Sequence, residues 1–262
     1  MKRKIGINAD CIKNGFTYGN IKKLRDLGFE GMFIAELKGS FGKYKDIAES
    51  VGMDFEFIHA PFDGINSMWL EGDEYLRIFN RIKLAIDHAS ANGVPVVIVH
   101  LSSGWNPPEP TELGFSRFDK LIEYAASKRV TVAIENLRNK ENLLMAMERY
   151  KDNESVRYCY DAGHEYCYTP GVDWISIFAD KLICTHIHDN TGFAGEKDND
   201  THYLPFDGTL DYADMIRRLD KIGYQGTLTL EVFNSTKPEY SEMTEEEFFA
   251  ECAARIKRIA EM

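Results

Sequence analysis

The sequence predicts an α/β fold, a single (β/α)8 TIM barrel spanning residues 1–262. The first observation behind this prediction is a regular alternation of short apolar segments with longer amphipathic ones. Second, the apolar segments are continuously hydrophobic, as in parallel strands that are buried on both faces. Third, there are eight such segments, and about 250 residues is a typical length for eight βα units. A doubly wound open sheet is the alternative fold.

The predicted strands are short apolar runs, each followed by a segment with helical periodicity. The fourth, VPVVIVHLS, is the most apolar, and the third is closed by Pro61. In chain order the strands are predicted at residues 4–10, 31–37, 54–61, 94–102, 131–136, 156–164, 182–190 and 226–233.

The longest predicted helix covers about residues 73–92, where Leu76, Phe79 and Ile82 recur on one stripe and Gly93 lies just beyond the end. The Pro-rich segment WNPPEPTELG, which follows the fourth strand, excludes a helix there. We find no linker, charge block or repeat beyond the βα unit, so one domain is the simplest interpretation. Shorter amphipathic segments begin near residues 21, 44, 118, 141, 172, 213 and 244.

Composition limits the function classes. The formal net charge of −11 argues against a nucleic acid as the main partner, because binding to phosphate backbones needs a basic face. No apolar run approaches the roughly 20 residues that cross a bilayer, and the N-terminal segment MKRKIGINAD has no secretory signal pattern. Five cysteines without a CxxC pair fit a reducing cytoplasm, where we expect this protein, and a homo-oligomer is compatible with the sequence.

The segment from Leu182 to Gly208 carries the strongest chemical signal. An apolar strand places His186 and His188 on one face, because residues two apart in a strand point the same way. A polar loop then brings Asp200 and His202. Imidazole and carboxylate groups together suit Zn²⁺, Mn²⁺ or related divalent ions.

Other polar residues stand at the predicted strand ends. In a barrel those carboxyl-terminal ends face one common mouth, where such enzymes place their sites. Carboxylates converging there would repel one another unless cations neutralised them. Six of the seven histidines belong to this set, which predicts a metal site from His59, His100, Glu135, Asp161, His164, His186, His188, Asp200, His202 and Glu231.

These motifs resemble the xylose isomerase-like barrel superfamily, which includes sugar isomerases, ketose 3-epimerases and endonuclease IV. The resemblance covers nearly the whole chain and includes HAP, IEN, D-x-x-H, H-x-x-D and D-x-H. Against endonuclease IV it implies ligands of a three-metal cluster, namely His59, His100, Glu135, Asp161, His164, His186, Asp200, His202 and Glu231.

The single-metal epimerases imply a smaller set. They resemble this chain at Glu135, Asp161, a strand-seven histidine and Glu231, which there hold one ion, and the two glutamates move protons. The H-x-x-D alignment favours His186 as the ligand and leaves His188 either to orient a ligand or to contact substrate. Those epimerases carry an arginine six residues after the histidine, whereas this chain has none near Gly192, which argues against 3-epimerase specificity.

Further substrate contacts are expected at the mouth. Trp105 lies in a predicted loop and could pack on a sugar ring, and Arg138 could meet a phosphate. Glu141 matches an acidic substrate contact of the epimerases in spacing only, and Glu36 ends the second predicted strand.

Two main functions follow from the sequence, and a third class stays open, namely a barrel that binds a sugar acid or polyol without converting it, or a lyase or dehydratase. The favoured one is a divalent-metal-dependent isomerase or epimerase of a small sugar, sugar phosphate or related polyol, with Glu135 and Glu231 as the catalytic acids and bases. It would use one to three ions of Zn²⁺ or Mn²⁺. The alternative is a zinc-dependent phosphoester or phosphodiester hydrolase of the endonuclease IV type, because one-metal isomerisation has no required role for the additional ligands.

Overall fold

Eight strands form the centre of the molecule in the computed structural model, which describes residues 3–12, 16–35, 43–195, 197 and 199–262. Each predicted strand is observed, with shorter bounds. Glu36 and the rest of the second predicted strand's end lie outside the described residues. The strands are β1 Ile5–Asn8, β2 Gly31–Ile34, β3 Asp54–His59, β4 Val96–Val99, β5 Thr131–Glu135, β6 Val156–Asp161, β7 Leu182–His186 and β8 Leu228–Leu230.

The strands pair in parallel and in sequence order, and β1 also pairs with β8. The ring closes between β7 and β8, where the Ile187 N–H donates to the Thr229 carbonyl at 2.8 Å. The Glu231 N–H in turn donates to the Ile187 carbonyl at 3.0 Å. This closed order confirms the predicted (β/α)8 TIM barrel and excludes the doubly wound sheet.

Helices cover the outside of the barrel. The long helix predicted near residues 73–92 is observed at Tyr75–Ala91, and Gly93 follows it with a φ of 64°. None of the helices in the described part of the chain combines the length and apolar character that a bilayer span needs. They are α1 Tyr18–Asp26, α2 Lys43–Val51, α3 Tyr75–Ala91, α4 Glu112–Ser127, α5 Lys140–Arg149, α6 Ala162–Tyr168, α7 Trp174–Ile177, α8 Tyr212–Lys221, α9 Pro238–Glu242 and α10 Glu245–Ala260, with a 3₁₀ turn at Ile65–Trp69.

The barrel interior holds an apolar layer that positions the polar rim above it. Phe33 and Phe57 stack with ring centroids 4.6 Å apart in this layer. Side chains two apart on a strand share a face, so Phe57 points the same way as His59, which is two residues further along. The same spacing places Ile98, Ala133, Cys159 and Cys184 two residues before His100, Glu135, Asp161 and His186 respectively. The layer consists of Phe33, Phe57, Val96, Ile98, Ala133, Cys159 and Cys184.

A cavity lies at the opposite end of the barrel from this polar rim. It has a volume of about 670 Å³ and includes Glu56, near the start of β3. Burial raises the pKa of Glu56 to about 7, although a hydrogen bond from the Thr227 hydroxyl opposes the shift. None of the candidate metal ligands in the described chain lines this cavity, so we assign it to stability rather than chemistry.

Replacing Glu56 by Gln should stabilise the protein at alkaline pH. Its pKa is higher in the folded state than the ordinary value of 4.5, so the folded protein binds the proton more tightly. Its contribution to stability is therefore complete below about pH 4.5 and is lost as the pH rises through about 7. Glu56→Gln changes the free energy of unfolding, and we expect this change to be more favourable at pH 8 than at pH 5. The difference between the two pH values should be about 1 to 3 kcal/mol.

Urea denaturation of wild type and variant at both pH values measures this difference. The control is Glu148→Gln, which removes an exposed acid on α5 that pairs with Lys151. A Glu56→Gln effect that is equal at pH 5 and pH 8 would contradict the assignment.

Candidate metal centre

The candidate ligands gather at the carboxyl-terminal rim of the barrel, as their positions in the sequence predict. His59, Glu135, Asp161 and His186 are the last residues of β3, β5, β6 and β7. His100 and Glu231 each follow directly after a strand, and His164 lies in α6. The remaining three, His188, Asp200 and His202, come from the loop between β7 and α8. Their side chains divide into three adjoining groups of possible metal ligands.

The first group contains His59, His100 and Glu135, all buried. The two imidazole Nε2 atoms are 3.1 Å apart. They lie 3.3 Å (His59) and 2.9 Å (His100) from Glu135 Oε2. Phe62 stacks on the His100 ring with centroids 4.3 Å apart and covers this group from the mouth side.

The second group lies deeper and contains Glu135, Asp161, His186 and Glu231. It is centred on His186 Nδ1, which is 3.0 Å from Glu135 Oε1, 3.3 Å from Glu231 Oε2 and 3.7 Å from Asp161 Oδ2. Phe33 from the apolar layer stacks on the His186 ring at 4.9 Å. Glu135 therefore turns one oxygen to each of the first two groups.

The third group contains His164, His188, Asp200 and His202. Asp200 lies between the imidazoles, with Oδ2 3.1 Å from His164 Nε2 and Oδ1 3.4 Å from His202 Nε2. The backbone of His202 has a φ of 45°, in the left-handed region that a non-glycine residue rarely adopts. Such backbone strain is typical of functional sites, where the surrounding contacts hold it in place.

Backbone carbonyls orient three of these imidazoles. The Nδ1 atoms of His59, His164 and His202 lie 2.8, 3.0 and 2.9 Å from the carbonyls of Ala60, Asn136 and Glu231 respectively. When Nδ1–H donates to these carbonyls, each Nε2 presents a lone pair to its own group. Histidines that bind metals are held in this way, with the second ring nitrogen fixed by a hydrogen bond.

The electrostatics show an excess of negative charge at the rim. Burial would lower the pKa of His186, but Glu231 and Glu135 raise it to about 10. Burial likewise opposes a charged His202, yet Asp200 raises its pKa to about 9. The carboxylates thus attract positive charge strongly enough to hold protons on buried imidazoles. A divalent cation would supply that charge instead.

The donor set fits divalent ions. A tetrahedral ion with bonds of about 2.1 Å separates its ligand atoms by roughly 3.4 Å, close to the separations around His186 Nδ1 and Asp200. Asp161 adds a second indication, since its Oδ1 accepts the His164 N–H at 2.6 Å whereas its buried Oδ2 has no hydrogen-bond partner among the described residues. Imidazole and carboxylate donors suit zinc and manganese.

His188 occupies a different position from His186. It is buried, and its Nε2 lies 3.2 Å from Asp161 Oδ1 and 3.5 Å from Asp200 Oδ1. Its ring stacks on His202 at 3.9 Å. Gly163 makes this position available, because a larger side chain there would overlap the His188 ring. The geometry thus places His186 in the second group and His188 in the third, and the expected substrate contact of His188 stays a prediction.

The residues expected to contact substrate separate into two sets. Trp105 and Arg138 line a cavity of about 430 Å³ at the mouth, together with ligands from the first and third groups. Glu141 is not among the described residues that line this cavity, and its exposed side chain lies in the first turn of α5. Its role stays a prediction.

Sequence reasoning missed two aromatic residues at the mouth. Phe62 covers His100, and Tyr168 stacks on His164 with centroids 5.1 Å apart. A signal existed for Tyr168, because it stands four residues after His164, the spacing at which side chains meet on a helix. We find no comparable signal for Phe62.

Comparison with proteins of known sequence identifies a relative in Sinorhizobium fredii, the uncharacterized protein y4fM. The two are 31% identical over 194 residues, an alignment that covers 69% of this chain and 60% of that protein. The chain spans 60 to 63% of the length of the curated relatives it matches.

Solved structures share the fold. L-ribulose 3-epimerase superposes with a TM-score of 0.75 at 19% identity, covering 99% of this chain and 95% of that chain. The 3-keto-D-glucoside 4-epimerase YcjR from E. coli gives 0.71 at 17% identity, covering 98% and 99%. At these identities the likeness establishes the fold alone. The family model described as xylose isomerase-like TIM barrel matches residues 21–252, so the chain belongs to the xylose isomerase-like TIM barrel family.

Proposed function

We propose that this protein is a divalent-metal-dependent isomerase or epimerase that acts on a small sugar or a related polyol derivative. One observation carries the proposal. Glu135 and Glu231 reach the same imidazole nitrogen, His186 Nδ1, at 3.0 and 3.3 Å from strands three apart in the barrel. Two carboxylates thus flank one candidate ion, and Glu135 also contacts His100, which lines the mouth cavity of about 430 Å³.

The candidate ion would be held by Glu135, Asp161, His186 and Glu231. When bound, it would grip adjacent substrate oxygens and polarise a carbonyl, which acidifies the neighbouring C–H bond. Glu135 and Glu231 are the groups positioned to remove that proton and return it. Return to the adjacent carbon isomerises the sugar, whereas return to the opposite face of the same carbon inverts its configuration.

The surroundings support this role. Asp161 is buried, and its Oδ1 accepts a hydrogen bond from the His164 N–H. The orientation of this carboxylate is therefore fixed before any substrate arrives. Trp105 and Phe62 add apolar surface beside the cavity, which favours packing against the C–H face of a sugar ring. The two epimerases that share the fold act on carbohydrates according to their names, which supports the same substrate class here.

A second candidate, a phosphoester or phosphodiester hydrolase, is favoured by the way Glu135 is shared. Its Oε1 faces the second group and its Oε2 faces His59 and His100. If both groups bind ions, the carboxylate bridges them, and a bridging carboxylate has no oxygen left to act as a base. Clusters of closely spaced ions are instead suited to phosphoester hydrolysis, where they activate water and stabilise the leaving oxygen.

Proton exchange tests the first proposal. In D₂O, the wild-type protein supplied with Mn²⁺ should incorporate deuterium next to the carbonyl of at least one ketose in a panel of free and phosphorylated sugars. Glu135→Gln and Glu231→Gln should each reduce the exchange rate at least about 100-fold, because both remove a proton-transfer group. NMR of the recovered sugar measures the exchange.

Glu148→Gln is the control and should exchange at the wild-type rate, since this acid is exposed on α5. Cleavage of a chromogenic phosphodiester without exchange into any sugar of the panel would contradict the first proposal and support the second.

Metal stoichiometry and His202→Ala distinguish the two functions independently. If one ion suffices, the purified protein holds about one ion per chain, and His202→Ala reduces turnover less than about threefold. If a cluster is required, elemental analysis gives two or three ions and His202→Ala loses both an ion and most of the activity. His88→Gln in α3, outside the three groups, should keep the wild-type metal content.

Chelation should destabilise the protein. Removing ions leaves buried carboxylates facing one another, and an ion present at about 100 times its dissociation constant contributes roughly 2.7 kcal/mol. We expect EDTA to lower the melting temperature by about 5 to 10 °C and added Mn²⁺ or Zn²⁺ to restore it, as measured by calorimetry. If EDTA leaves the melting temperature unchanged, and added Mn²⁺ or Zn²⁺ does not raise it either, the metal assignment is contradicted.

A further inference from the structure

The mouth cavity combines candidate ligands with a permanent cation. On one side lie His100, His164 and Asp200 from the first and third ligand groups. On the other side, Arg138 is the one arginine or lysine among the described residues that line the cavity. A substrate that reaches the candidate ions through this cavity therefore passes the Arg138 side chain.

Aromatic rings hold Arg138 in place. Its guanidinium lies over the Tyr168 ring, 4.0 Å from the centroid, and 5.8 Å from the centroid of Trp105. Tyr168 in turn stacks on the imidazole of His164, at 5.1 Å and an interplanar angle of 28°. The side chains of Arg138, Tyr168 and His164 thus form a continuous stack, which we call the Arg138 stack. It joins the cation to a candidate metal ligand.

A stacked guanidinium is a preorganised group. Its N–H donors lie in the plane of the guanidinium, and their fork matches the two oxygens of a phosphate or carboxylate. Stacking on Tyr168 restricts the rotation of a flexible side chain, so less conformational entropy is lost when an anion binds. The geometry is therefore better suited to an oxyanion than to a neutral hydroxyl.

We propose that the substrate of this site carries an oxyanion, a phosphate or a carboxylate, and that Arg138 is the residue that selects for it. This inference rests on the proposed isomerase or epimerase function, whose substrate class it narrows from sugars in general to anionic sugars. Arg138 acts on specificity, since it binds the charged group away from the carbons that exchange protons.

Calorimetric titration of the Mn²⁺-loaded protein with matched sugar pairs tests the assignment. The pairs are D-ribulose with D-ribulose 5-phosphate, D-fructose with D-fructose 6-phosphate, and D-glucose with D-glucuronate. In at least one pair, the anionic member should bind wild type at least 10-fold more tightly than the neutral one. Arg138→Gln should weaken that anionic ligand by about 10- to 100-fold and change its neutral partner less than twofold.

Two further variants sharpen the result. Arg138→Lys should recover only part of the anion affinity, because an ammonium keeps the charge but loses the planar fork. The matched control is Arg258→Gln on α10, which removes another guanidinium stacked on an aromatic ring, 3.9 Å from the Phe206 centroid and outside the mouth cavity. It should bind every ligand like wild type.

The inference is overturned if no anionic member is preferred by wild type. It is also overturned if Arg138→Gln weakens both members of a pair equally, which would indicate a packing role through Tyr168. Comparing the sugar phosphate pairs with the glucuronate pair identifies which oxyanion Arg138 binds. Circular dichroism and metal analysis of Arg138→Gln verify that the variant is folded and loaded.

Deuterium exchange separates this inference from the proposed function. Exchange into neutral sugars, at a rate that Arg138→Gln leaves unchanged, contradicts the Arg138 assignment while the isomerase or epimerase function stands. Anion binding that depends on Arg138, without exchange into any bound sugar, supports the assignment of Arg138 and contradicts the proton-transfer function.

Discussion

Four carboxylates crowd one rim of the barrel, and the site depends on how their negative charge is balanced. Glu135, Asp161 and Glu231 are buried, and Asp200 is largely covered. Six imidazoles interleave with these acids, and peptide carbonyls hold three of the rings so that one nitrogen faces inward. Three of these acids stand at or directly after the ends of parallel strands, so the backbone of the barrel fixes their positions, whereas Asp200 comes from the loop between β7 and α8.

The state of Glu135 determines which of the two proposed reactions the site can support. Its two oxygens belong to different ligand groups, so the number of bound ions decides whether the carboxylate bridges metals or remains available to a proton. The same side chains thus support either reaction class. Ligand position alone does not specify chemistry in this fold, since function depends on the occupied site and its surroundings.

The sequence was informative wherever a residue lay at a strand end. The apolar runs located every strand of the barrel, and positions at the carboxyl ends of these runs placed His59, Glu135 and Asp161 at its mouth. The division into three groups was not predictable in this way, because Asp200 and His202 come from an irregular loop whose path depends on tertiary contacts. His188 shows the limit of prediction from strand periodicity. It stands two residues after His186 in the sequence, yet its side chain belongs to a different ligand group.

The apolar layer beneath the rim has a consequence for how such a protein changes over time. Phe33 and Phe57 stack across the interior and contact the His186 ring from below. This apolar layer lies between the ligand rim and the cavity at the other end of the barrel. Substitutions around the cavity at one end can therefore change thermal stability, while substitutions at the ligand rim change substrate preference. The two properties can evolve separately in the same barrel.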